Sequence, residues 1–155
     1  MKRTSIVFLI TFIFLVIMSA CKENEYIDWK LKNDSWYATH KTDPGFVTTT
    51  SGLCYKVIHQ GYQRFPNVNS VVLVNYKGSL VDGSVFDSVA TGSTVPVQLS
   101  SAIQGWKEGI SKMQSGGRYI FYIPSKLGYD TVSTNPKIPP HSVLIFDVNL
   151  IDSQY

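Results

Sequence analysis

The chain has 155 residues, of which 44% are hydrophobic and 16% charged, and carries a net charge of +3. That length and balance support one domain with a real core and exclude a disordered chain. They also exclude nucleic acid as a partner, because phosphate binding needs a concentrated basic face, and two of the excess positives, Lys2 and Arg3, sit in a segment expected to be removed.

Lys2 and Arg3 precede an apolar run from Ile6 to Met18, interrupted only by Thr11. The run is too short to span a bilayer as a stable helix and reads as a targeting leader. Met18-Ser19-Ala20-Cys21 follows, small residues directly before a cysteine, with Met18 where a leucine is usual in a bacterial lipobox. On that reading Cys21 is acylated and becomes the new N-terminus; the alternative is an ordinary secretory signal cut near Ala20. Acyl chains add about 0.8 kcal/mol per buried methylene, so several together anchor a protein firmly. Lys22 is not the aspartate that commonly retains lipoproteins at the inner membrane, which favours the outer membrane of a bacterial envelope. The expected organisation is a signal peptide over 1–20, a lipid-anchored arm over 21–50 and a folded domain over 51–155. Cys54 is then the only other thiol, without a disulfide partner, and reads as a small half-buried strand residue.

The arm carries Tyr26, Ile27, Trp29, Leu31, Trp36 and Tyr37 at rough helical spacing, and Pro44-Gly45 ends it. The spacing predicts a short helix within 26–41, with Ile27, Leu31 and Trp36 sharing a face. It serves as a tether, or it packs on the domain or on a second copy; a monomer is expected.

From residue 51 onward strands dominate. Leu53–Ile58 alternates, Val71–Gly78 is rich in β-branched residues, and Val81-Asp82-Gly83-Ser84 is a turn leading into Phe86-Asp87-Ser88. Val95–Leu99 contains Pro96 and suits an edge. Ala102, Trp106, Ile110 and Met113 recur at helical spacing in the only clear amphipathic helix of this half, with Ser100 and Ser101 placed to cap it. A strand over Gly117–Pro124, a long loop over Ser125–Pro140 and a closing strand over Val143–Ile151 complete the chain. Leu144, Phe146, Val148 and Leu150 point one way, and Asp147 and Asn149 the other. The fold class is therefore α+β, a bent antiparallel sheet of five or six strands wrapped around one amphipathic helix.

The usual reactive constellations are missing. His40, His59 and His141 have no metal-ligand spacing, no glycine-rich phosphate loop follows a strand, and Gly-x-Ser-x-Gly does not occur. No metal and no cofactor is expected. Tyr76, Phe86, Trp106, Tyr129 and Phe146 fall at element ends or beside loops. Such a set forms either an aromatic core or an apolar pocket rimmed by polar groups.

Four pieces then occur in order: Val74-Asn75-Tyr76-Lys77-Gly78; Asp82-Gly83-x-x-Phe86-Asp87-Ser88; Ile103-Gln104-Gly105-Trp106-x-Glu108-Gly109; and Ile138-Pro139-Pro140-His141-x-x-Leu144-Ile145-Phe146-Asp147-Val148. Together they resemble the FK506-binding protein family of peptidyl-prolyl cis-trans isomerases, over about Ser51 to Ile151. The resemblance implies a pocket between helix and sheet with the Trp106 indole as floor. Its walls would be Tyr76, Phe86, Ile103 and Phe146, with Ala102 and Ile138 completing the substrate-binding surface. Tyr129 matches a loop tyrosine whose hydroxyl reaches a ligand carbonyl, the Ile103 amide would be a second donor, and Asp87 is the family's pocket aspartate. Proline-containing polypeptides are the implied substrates, and macrolides such as FK506 or rapamycin the implied ligands.

The sequence departs from the family pattern at three places. Asp130 follows Tyr129 where Gly is usual, the link into the helix at Ser100-Ser101 is shorter, and Ala90–Thr94 lacks an arginine to pair with Asp87, leaving Tyr76 or water as its partner. Two functions follow: a lipid-anchored prolyl isomerase assisting folding of envelope proteins, or a non-catalytic chaperone or peptide-binding module that keeps the pocket.

Overall fold

The computed structural model describes residues 26–132 and 135–154; the leader and Cys21 lie outside them. Helix α1 covers residues 26–40. Strands β1 (Phe46–Thr48), β2 (Cys54–His59), β3 (Val71–Ser79), β4 (Val85–Ser88) and β5 (Val95–Gln98) follow, then helix α2 (Gln104–Ile110), β6 (Arg118–Ile123) and β7 (Leu144–Gln154). All pairings are antiparallel, in the order β1-β2-β6-β7-β3-β4, with β5 also on β3. The sheet thus has seven strands rather than five or six. The extra one, β1, is only three residues long and comes from the chain before Ser51.

β3 and β7 form the spine, paired from Val71↔Gln154 to Ser79↔Ile145. On the far edge of β3, β5 pairs with Val71–Val74 and β4 with Lys77–Ser79. Pro96 sits in β5, which pairs only with β3, so its missing N–H breaks no second ladder. Alternation along β7 buries Leu144, Phe146, Val148 and Leu150 and leaves Asp147 on the other face, where Arg118 grips it with two hydrogen bonds of 2.9 and 2.7 Å. On the buried face, Val72, Val74, Phe121 and Ile123 join that row against Trp106 and Ile110 of α2.

α2 lies unusually close to the sheet because two glycines face it one helical turn apart. A Cβ on Gly105 would stand 2.5 Å from Ile123, and one on Gly109 would stand 2.7 Å from Phe121. The helix is shorter than its apolar spacing predicts, ending at Ile110, although Met113 just beyond remains fully buried. Ser100 and Ser101 do not cap it. They belong to a tight turn over Leu99–Ser101, and extended backbone at Ala102 and Ile103 carries them away from the first helical amides, leaving Ile103 as N-cap without a side-chain cap.

Of the face predicted for α1, only Trp36 packs on the domain. Ile27 and Leu31 are exposed, while Trp29, Asn33, Trp36, Tyr37 and His40 turn inward. Trp36 meets Tyr122 edge-on, the Tyr37 hydroxyl donates to the Gly52 carbonyl, and Phe46 of β1 stacks on Tyr122. Cys54 is buried outright rather than half-buried, and burial pushes its thiol pKa up, which makes it an inert core residue.

Candidate active site

The end of β3, the strand β4, the start of α2 and the middle of β7 converge on one aromatic cage. Trp106 projects from α2 toward β3 and β7, where Tyr76 stands edge-on to it at 5.1 Å and Phe146 at 5.2 Å. Phe86 of β4 completes the cage, edge-on to Phe146 at 5.4 Å. The edge-to-face geometry sets the positive rim of one ring against the negative face of the next and keeps the rings from collapsing into a stack. Gly78 makes the approach possible. It pairs with Asp87 on one side and Phe146 on the other, and a Cβ there would lie 2.6 Å from the Phe86 ring and 2.9 Å from Phe146.

The rings enclose a cavity of about 250 Å³. Its lining includes each expected pocket residue: Tyr76, Phe86, Asp87 and Phe146 from the strands, Ala102, Ile103 and Trp106 from the start of α2, and Tyr129 and Ile138 from the long loop. Val97, Ser101 and Asn135 also line it and were not foreseen. Val97 was readable, since it alternates with Val95 on the inward side of β5. Ser101 was assigned to capping instead, and nothing in the loop composition marks Asn135.

The polar groups of the cavity come from Tyr76, Asp87, Ser101, Tyr129 and Asn135. The Tyr76 hydroxyl donates to Asp87 Oδ2, the partner left to that carboxylate in the absence of an arginine. Burial, then the hydrogen bond to Asp87, pushes the Tyr76 pKa well above the ordinary tyrosine value; burial, then the charge of Asp87, raises that of Tyr129. Both phenols therefore stay protonated donors throughout the neutral range. Trp106 Nε1 is buried with no hydrogen-bond partner among the described residues. Ile103 is the N-cap of α2, so its amide lies beyond the reach of any intrahelical carbonyl. No group of three or more potential metal ligands occurs among the described residues.

The loop that brings in Tyr129 and Ile138 is fixed at both ends. Asp130 has φ +48° and His141 φ +64°, and the His141 amide donates to the Asp130 carbonyl at 2.6 Å. A left-handed residue explains the family's preference for Gly at position 130, and aspartate is among the few side chains that tolerate it. Behind the loop stands α1. Trp29 Nε1 donates to Ser142 Oγ at 2.9 Å, Ser142 Oγ donates to the Pro139 carbonyl at 2.6 Å, and the Val143 amide donates to the fully buried Asn33 Oδ1 at 2.8 Å. The far wall of the cavity is thus braced by a helix lying outside the four matching motifs.

The family model for the FKBP-type peptidyl-prolyl cis-trans isomerase domain matches residues 62–151. A protein of Neisseria meningitidis named "Probable FKBP-type peptidyl-prolyl cis-trans isomerase FkpA" is 42% identical over 123 residues, covering 79% of this chain and 45% of that protein. The "Outer membrane protein MIP" of Legionella longbeachae is 37% identical, covering 79% of this chain and 53% of its own length. The crystal structure of FkpA from Escherichia coli superposes with a TM-score of 0.81 at 35% identity, covering 88% of this chain and 64% of that one. The chain spans about half the length of the curated relatives it matches. By motif, fold and family match alike, it belongs to the FKBP-type peptidyl-prolyl cis-trans isomerase family.

Proposed function

We propose that the protein is a peptidyl-prolyl cis-trans isomerase acting on proline-containing polypeptides of the bacterial envelope. The observation that carries this reading is the aromatic cavity over Trp106, ring-sized, floored by the indole and walled by Tyr76, Phe86 and Phe146, with its polar groups at Asp87, Ser101, Tyr129 and Asn135.

An X–Pro bond resists rotation with a barrier near ~20 kcal/mol, held up by amide resonance. Left alone, it exchanges in roughly tens to hundreds of seconds. Rotation needs no nucleophile, metal or proton shuttle. Twisting the bond removes resonance and lowers charge separation across the amide, so water favours the planar form. A dry cavity reverses that preference, and each ~1.4 kcal/mol gained at the transition state is about tenfold in rate. In this reading the proline ring lies on Trp106 between Tyr76, Phe86 and Phe146, with Ala102 and Ile138 closing the sides. The Tyr129 hydroxyl and the Ile103 amide hold the flanking carbonyl, and Asp87 fixes the Tyr76 ring by accepting its hydrogen bond. Macrolides such as FK506 or rapamycin would occupy the same space.

Residues 1–20 are read as the leader and Cys21 as the acylated anchor of the arm over 21–50, with the outer membrane favoured. The support is the apolar run ending at Met18-Ser19-Ala20-Cys21. Membrane fractionation of Cys21→Ser tests it: release from the membrane is expected, and retention would overturn the anchor.

The activity is tested by turnover of a short X–Pro peptide with the protein from Lys22 onward. Turnover blocked by FK506 or rapamycin is expected, with Phe86→Ala and Trp106→Ala each losing at least about tenfold, the equivalent of ~1.4 kcal/mol. Ligand binding without turnover would instead assign a non-catalytic peptide-binding module. Normal turnover in Phe86→Ala would remove the cavity from the mechanism.

A further inference from the structure

A second concavity, of about 760 Å³, lies beside the aromatic pocket. One wall is α1, through Tyr26, Trp29 and Lys32; the other is the long loop, through Val132, Pro136 and Pro139. Asn135 and Ile138 line both cavities, so the two share a wall. The smaller cavity falls below the roughly 300–1,000 Å³ of sites that enclose a whole drug-sized ligand, so it takes a ring rather than a stretch of chain. A polypeptide with its proline there must run out over the adjoining surface.

Resting on the isomerase reading, we propose that this groove binds the residues flanking the proline in an extended polypeptide, and selects chains with an apolar or aromatic side chain on that flank. Its surface argues for that occupant. Tyr26 and Val132 are exposed at the rim, 42% and 75%, and the proline residues opposite present rigid apolar faces. The charges on the α1 wall, Asp28 and Lys32, are of opposite sign, and the Lys32 ammonium already lies 5.5 Å from the centre of the Trp29 ring. The groove therefore recognises an unfolded segment by its apolar content rather than by net charge. The wall shared with the pocket, at Asn135 and Ile138, favours the substrate chain itself over a separate partner. The helical wall lies before residue 62, where the family match begins, so the arm supplies one side of the groove and the domain the other.

The test compares a short X–Pro peptide with the same peptide extended by a few apolar residues on its amino or its carboxyl side, using the protein from Lys22 onward. The ratio of kcat/KM between extended and short peptide is expected to reach about fivefold for one direction of extension, the size of one aromatic contact. In Tyr26→Ala, and independently in Val132→Asp, that ratio is expected to fall to about one; both side chains are exposed, so the fold is not at stake. A wild-type ratio near one in both directions would overturn the proposal, as would a groove already covered by the preceding residues or by a second copy, which gives the same result. A ratio that survives both substitutions would overturn it too. No turnover of either peptide would overturn the isomerase reading itself, a distinguishable failure.

Discussion

Trp29 and Trp106 are the two tryptophans nearest the long loop, and their surroundings differ in one respect. The indole N–H of Trp29 donates to Ser142, which in turn donates to the Pro139 carbonyl. That of Trp106 is buried and has no hydrogen-bond partner among the described residues. An unpaired buried donor costs about 1–3 kcal/mol, so a region that keeps one has spent stability on something other than packing. Around Trp29 the indole, Ser142 and the Pro139 carbonyl are matched and the contact is a brace; around Trp106 the rings stand edge to face and leave room. The brace grips the carboxyl end of the loop, and the loop is one wall of the room.

The sharpest way to break the distinction is to fill the room from behind. Gly78→Ala places a methyl 2.6 Å from the Phe86 ring and 2.9 Å from Phe146, and both rings must shift. Overpacking of this kind costs about 1–3 kcal/mol, so the protein stays folded while the cage is displaced. The expected result is a loss of kcat/KM of about tenfold or more on a short X–Pro peptide, with the circular dichroism spectrum unchanged. Turnover at the wild-type level would show that the ring positions do not matter to the reaction.

The brace is broken by Asn33→Ala. The Val143 amide loses its partner in the interior, and the expected loss of stability is about 1–3 kcal/mol, read from urea unfolding. Asn33→Asp keeps the acceptor oxygen but turns a buried carboxylate oxygen on the Trp29 carbonyl that the Asn33 amide now bonds at 2.8 Å, so it should be no more stable than Asn33→Ala at neutral pH. An unchanged midpoint in Asn33→Ala would mean that the bond from Val143 to Asn33 contributes nothing to stability.

These two regions were not equally legible in the sequence. The pocket was, because strands advertise themselves by alternation and the rings recur in ordered motifs; Tyr76, Phe86, Trp106 and Phe146 stand together as the resemblance implied. The docking face of α1 was not. Hydropathy singles out Ile27 and Leu31, which lie 53% and 60% exposed, whereas the helix docks through Trp29, Asn33, Trp36, Tyr37 and His40. Amphipathic rings and an amide serve there because the surface they meet presents backbone N–H and C=O groups, at Val143 and Gly52, that need partners. No single-chain pattern reveals which carbonyl or amide will be left open on a distant loop. The serines before α2 were misjudged for a related reason: capping depends on the dihedrals of Ala102 and Ile103, which their side chains do not fix. Asp130 looked like a departure from the pattern, yet its left-handed φ of +48° places it among the conformations that the usual glycine supplies.

The smallest expected effect is that of pH on turnover, and its absence is informative. Tyr76 and Tyr129 are held above the ordinary tyrosine value of about 10, chiefly by burial, so neither ionises near neutrality. An isomerase whose donors are a phenol and an amide should show flat kcat/KM from about pH 7 to 9, unlike the bell of an acid–base enzyme. Stability has a sign as well. Tyr37, on the brace, is pushed from 10.0 to about 12, first by burial and then by Cys54. A group raised in the folded state favours folding fully below its unfolded value, and that contribution disappears as pH climbs from 10 through about 12. Alkaline unfolding should therefore begin above pH 10, and Tyr37→Phe, which cannot ionise, should flatten that limb. A pH–rate bell centred near neutrality would place a titrating group in the reaction and remove solvent exclusion as its sole driving force.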